Sequence, residues 1–185
     1  MSLNTHPIRA LALAAAALLS TQAMAVGAPP AEVVVGLTNI FSVAEIGNAD
    51  NVMLNLGVTP GFQINQVRWD VSLTAYEPSW LSEMALTITN TAGDGITLTP
   101  SETGTFGSGQ FSGSMTLSAL GLAFSAGSDG RLNFEFHDGF DDLAGPDGRW
   151  NAGSMITLSP VPEPATYGLM ALGLLAVAAA RRLRA

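Results

Sequence analysis

The chain contains no cysteine and no lysine, and charge of either sign is sparse. Without thiols there is no disulfide, no cysteine nucleophile and no thiolate-bound zinc, so any fold rests on its core alone. All seven basic residues are arginines, and four of them (Arg9, Arg181, Arg182 and Arg184) lie at the two ends. Residues 26–160 keep Arg68, Arg131 and Arg149 against fourteen carboxylates, a net charge of −11. Such a surface repels phosphate backbones and excludes nucleic acid as a partner. The same stretch holds one histidine, His137. One His without Cys cannot build the usual zinc ligand set. Before the C-terminal tail no segment carries a helical period.

What is present begins with two unusual ends. Arg9 gives a positive start, residues 10–19 an apolar core, and Ala23-Met24-Ala25 a small-x-small cleavage site, the layout of a secretory signal peptide. Ten apolar residues are too few to span a bilayer. The expectation is passage through the Sec translocon and signal-peptidase cleavage after Ala25, with residues 1–25 removed.

The other end has three parts: Val161-Pro162-Glu163-Pro164-Ala165, an uncharged stretch over residues 166–180, and Arg181-Arg182-Leu183-Arg184-Ala185. Two prolines fix φ and cannot donate to a ladder, so the Pro-Glu-Pro triplet is extended chain that a processing enzyme can grip. The apolar stretch would be helical in lipid but is shorter than the roughly 20 residues of a comfortable span. The arginines hold its end on the cytoplasmic side. This order resembles the PEP-CTERM sorting signal of Gram-negative bacteria. The resemblance covers residues 161–185 and implies recognition by an exosortase, a membrane cysteine transpeptidase that removes the tail. It makes Val161, Pro162, Glu163 and Pro164 the recognition motif and Arg181, Arg182 and Arg184 the stop signal, with transient insertion of the short transmembrane helix in the inner membrane. Tails of this kind are also called ice-binding C-terminal domains. No regular Thr-x-Thr ladder supports that activity, Thr87-Ile88-Thr89 being too short.

Residues 26–160 read as one all-β domain. Val67, Trp69, Val71, Leu73 and Ala75 alternate with Arg68, Asp70, Ser72 and Thr74, giving one buried and one wet face to a strand over residues 63–75. Leu132-Asn133-Phe134-Glu135-Phe136 repeats the pattern. Shorter strands are expected over residues 32–35, 51–56, 84–89, 96–98, 110–117, 120–124 and 154–158. Residues 107–113 suit a long loop or a bulged edge strand. Four Asp-Gly steps offer the positive φ of tight turns. Eight or nine strands at this spacing predict a β-sandwich, jelly-roll-like or Ig-like. The order of elements from Trp80 to Trp150 also resembles a recurrent domain of PEP-CTERM proteins, akin to the β-sandwich modules beside secreted enzymes.

Three places could hold chemistry. Glu135, Asp138, Asp141, Asp142 and Asp147 fall within thirteen residues rich in glycine, hard oxygen donors of the kind Ca²⁺ takes. Their spacing departs from an EF-hand, and the plain alternative is a solvated loop. His137 with Asp138 or Asp141 could suggest a triad, but no Gly-x-Ser-x-Gly elbow exists, and a polar strand-edge residue is the simpler reading. Glu77 and Glu83 likewise read as surface charge rather than a hydrolytic pair. Trp80 and Trp150 sit near loops, where flat rings could stack on sugars, whereas Trp69 belongs to the core. The expected function is non-enzymatic: an exported, exosortase-processed protein of the cell surface or extracellular matrix, associated with exopolysaccharide and biofilm. The alternatives are a carbohydrate-binding module using exposed tryptophan and, more remotely, a secreted hydrolase.

Overall fold

The computed structural model describes residues 31–160. The expected signal peptide with Ala23 and Ala25, and the tail from Val161 to Ala185, lie outside the described residues. Within them the chain is mostly strand. In order it forms β1 (Val33–Leu37), β2 (Ile40–Ser42), β3 (Val52–Gly57), β4 (Gln63–Ile64), β5 (Gln66–Ala75), β6 (Ala85–Asn90), β7 (Gly95–Leu98) and β8 (Gly107–Thr116). A single helical turn α1 (Leu117–Leu120) leads to β9 (Phe124–Ser125), β10 (Arg131–His137), β11 (Gly148–Trp150) and β12 (Ser154–Ser159). No helix among the described residues is long and apolar enough to cross a membrane.

All strand pairs are antiparallel, in two main sheets that do not close. In the first, β5 is the spine. One side of it pairs with β8 along its whole length, from Gln66 opposite Thr116 to Ala75 opposite Gly107. Its other side pairs with β12 through residues 66–70 and with β11 through residues 73–75. β1 then adds to β12, and β2 to β11. The second sheet runs β3-β10-β6-β7. A two-residue pair, β4 with β9, lies apart.

Between β11 and β12 the chain bulges, residues 151–154 lying opposite only Val71 and Ser72 of β5. Such an insertion leaves ladder groups unpaired unless side chains replace them. Ser154 does so: its Oγ accepts from Ser72 N at 3.0 Å, while Asn151 N–H bonds Ser72 O at 2.8 Å and Asn151 Nδ2 braces Ser72 Oγ at 3.1 Å and Thr74 Oγ1 at 3.0 Å.

The period-two pattern delivers one core. Val67, Val71 and Leu73 of β5 and Ile156 and Leu158 of β12 join Leu86 and Ile88 of β6 and Leu132, Phe134 and Phe136 of β10 in a single buried cluster. Each large apolar side chain removed from water stabilises the fold by about 1.5–3 kcal/mol. Trp69 is only partly buried. It packs on the edge of this cluster, its ring lying over Gly113 of β8 where a Cβ would clash, as Phe111 lies over Gly109.

Several expectations are corrected. Residues 120–124 are not a strand: α1 ends at Gly121, whose φ of 71° closes a left-handed cap. Of the two alternatives for residues 107–113 the edge strand holds, paired with β5 without a bulge. Among the glycines of the four Asp-Gly steps only Gly130 has positive φ, at 64°. Gly148 is instead a strand residue, bare because Met84 Sδ and Thr74 O would meet a Cβ at 2.8 and 3.0 Å. β2 and β11 escaped the sequence reading because three residues are too short to show an alternation.

Candidate functional site

Residues 138–147 connect β10 to β11, and their two ends are anchored on the chain leaving β2. Asp138 N–H donates to Ala44 O and Asp147 N–H to Ser42 O, both at 2.9 Å. Gly139 N–H bonds Glu83 O at 2.9 Å, tying in the turn before β6. These bonds pull Asp138 and Asp147 inward, to 1% and 0% exposure, while Asp141 and Asp142 stay on the surface. Glu135 lies elsewhere, on the outer side of β10, where its Oε1 accepts from Gly47 N at 2.6 Å and Asn51 Nδ2 at 2.9 Å. The five carboxylates therefore do not assemble as one ligand set. Among the described residues no three His, Asp or Glu side chains converge so as to hold a metal.

Burial has an electrostatic consequence. Desolvation pushes the Asp138 carboxyl up from 3.8 to about 7, opposed by the Gly139 amide and reinforced by the charge of Asp147. Asp147 is pushed up to about 6 by desolvation, helped by the charges of Asp141 and Asp142. The amides of Asp142 and Leu143 oppose that shift, yet neither closes a hydrogen bond to Asp147. Asp147 is sealed from solvent but lies close beneath the surface, consistent with its smaller shift.

His137 is not the polar edge residue expected. It is 5% exposed, its Nε2 is 2.9 Å from Thr87 Oγ1, and its backbone carbonyl accepts from Ser42 Oγ at 2.9 Å. No described contact joins its ring to a serine hydroxyl or a carboxylate, as a triad would need. Glu83 is engaged as a turn cap, its Oε2 accepting from Trp80 N at 2.7 Å and Ser79 Oγ at 3.3 Å.

The two candidate tryptophans separate cleanly. Trp150 is fully buried, so it cannot stack on a ligand. Its strand pairs Trp150 with Leu73 and so faces the core, which the adjacent Gly-Pro-Asp-Gly turn signal obscured. Trp80 is 48% exposed. Its turn bonds the loop before β8 through Leu81 N to Thr105 O at 3.0 Å, which brings the exposed Phe106 to the same end. Through Glu83 and Gly139 the exposed Phe140 belongs to that end too.

Compared with known families, residues 160–183 match the model of the PEP-CTERM protein-sorting motif. No curated protein matches the chain. The motif defines a class, an exosortase-targeted protein that is exported across the inner membrane and placed at the cell surface or outside the cell. Exosortase is accordingly its processing partner. The chain is a PEP-CTERM sorting domain-containing protein.

Proposed function

We propose that this protein is a non-catalytic component of the extracellular matrix of a Gram-negative bacterium, associated with exopolysaccharide and biofilm. It crosses the inner membrane by the Sec translocon, loses residues 1–25 to signal peptidase, is held briefly by its apolar C-terminal stretch, and is released by exosortase at the Pro162-Glu163-Pro164 triplet. The observation that carries this reading is the sorting motif at residues 160–183.

The exported part is a β-sandwich of jelly-roll type. The strand order supports this. Counting β1 with β2 and β11 with β12 as single bent strands and setting the small β4–β9 pair aside, eight strands remain. The first pairs with the eighth, the second with the seventh, the third with the sixth and the fourth with the fifth. That is one long hairpin rolled into two sheets, the plan of a jelly roll rather than an Ig-like fold.

Fractionating cells that express Glu163→Ala, or a chain lacking residues 181–185, tests the sorting reading. Both variants should accumulate as unprocessed precursor in the inner membrane, because one lacks the recognition side chain and the other the charges that halt translocation. Normal surface yield of both would overturn it.

A second reading is glycan binding at the end carrying Trp80. Three exposed aromatic rings from neighbouring loops favour it, since flat rings present apolar faces that sugars stack on. Retention of the protein on immobilised exopolysaccharide, lost in Trp80→Ala, is the expected result.

A further inference from the structure

Asp138 and Asp147 close the two ends of one loop, and their backbones hang from carbonyls two residues apart, Ala44 and Ser42. Two residues of chain span at most about 7 Å, so the fold holds the two ends of the loop in one neighbourhood. The charge of Asp147 also raises the Asp138 carboxyl. Gly139 N–H donates to Asp138 Oδ1 at 2.8 Å. The other three oxygens, Asp138 Oδ2 and both of Asp147, are buried and have no hydrogen-bond partner among the described residues.

Among the described residues no arginine compensates them. Arg149, two residues beyond Asp147, donates from Nε to Asn151 Oδ1 at 2.9 Å. Arg68 pairs with Glu32 at 2.6 Å, and Arg131 begins β10 at the end opposite Asp138. Glu83, Asp141 and Asp142 add only further negative charge. A buried carboxylate without a partner is strongly unfavourable. Protonation would cancel the charge but leave an O–H and a carbonyl oxygen unpaired. A buried water would pair the oxygens but leave two like charges side by side. A proton shared between the two acids or a bound cation answers both needs, and only the cation makes stability depend on Ca²⁺.

We propose that Asp138 and Asp147 form a Ca²⁺ site. Their three unpartnered oxygens are its first ligands, and water completes the six to eight oxygens that Ca²⁺ takes. The side-chain donors left unpartnered are carboxylate oxygens, which favour a hard cation, while the His137 ring is engaged at both nitrogens, Nε2 2.9 Å from Thr87 Oγ1 and Nδ1 3.3 Å from Asp138 O. The loop contains Gly139 and Gly145 and suits the flexible geometry of Ca²⁺ better than the strict octahedron of Mg²⁺. Asp141 and Asp142, exposed on the same loop, draw cations towards it. The site differs from the five-carboxylate cluster suggested by sequence, because it needs two side chains and excludes Glu135.

The test is thermal unfolding of the full chain in mild detergent, in millimolar Ca²⁺ and in EDTA with NaCl matching the ionic strength. Ca²⁺ bound only by the folded state should raise Tm by roughly 5–10 °C at a hundredfold excess over Kd. Asp138→Asn combined with Asp147→Asn should lose the shift, and Asp50→Asn, an exposed acid on another loop, should keep it. Equilibrium dialysis of the unmutated chain against radioactive Ca²⁺ should find one ion per chain, which decides the matter even if the double variant fails to fold. Equal Tm in the two buffers, no bound ion, or a shift that survives in the double variant would each overturn the proposal.

Discussion

The ring of Phe136 stands edge-on to that of Trp150, with centroids 5.3 Å apart and planes at 79°. Phe136 belongs to β10 and Trp150 to β11, so this one contact joins the two sheets across the core. Such pairs contribute about 0.5–1.5 kcal/mol beyond their burial. Trp150→Ala should therefore cost about 3–5 kcal/mol in urea unfolding through the cavity it leaves. Trp150→Phe should cost far less, because it removes an indole N–H that is buried without a partner. Equal losses for the two variants would contradict this placement.

Two strand glycines should respond in opposite ways. A Cβ at Gly113 would press into the Trp69 ring, so Gly113→Ala should destabilise by about 1–3 kcal/mol. At Gly36 a Cβ meets nothing within 4 Å and φ is ordinary, so Gly36→Ala should be neutral or stabilise by up to about 1 kcal/mol. Denaturant midpoints of both variants are the check.

The buried aspartates set a pH dependence of unusual sign. With folded values near 7 and 6 against 3.8 for the free carboxyl, the native state holds protons that the unfolded chain has released. Their contribution is complete below about pH 4 and is lost as pH rises through 6 and 7. In EDTA, Tm should thus be higher near pH 5 than near pH 8, with Asp138 contributing on the order of a few kcal/mol. Asp138→Asn should flatten most of this slope. A Tm that rises with pH over this range would contradict the burial.

The sequence carried the fold class because burial follows alternation. Val67, Val71, Leu73 and Ala75 face the core as the period required, and Leu132, Phe134 and Phe136 do the same on β10. It could not carry the rolled pairing, since β1 meets β12 across nearly the whole domain and no local pattern encodes that register. The burial of Trp150 is not legible, because a three-residue strand beside a strong turn signal shows no period. The acidic loop was legible as a cluster but not as two buried and two exposed aspartates. That division comes from the anchoring carbonyls of Ser42 and Ala44, which only the assembled chain supplies.

The central claim is that the chain is exported and trimmed at both ends, and intact-mass spectrometry of the protein released from cells tests it most directly. The account predicts a species that begins at Val26 and has lost the apolar stretch and the arginines beyond Pro164, with any added mass marking the group transferred to it. A membrane-bound species that retains Arg181, Arg182 and Arg184 as its only stable form would contradict the account.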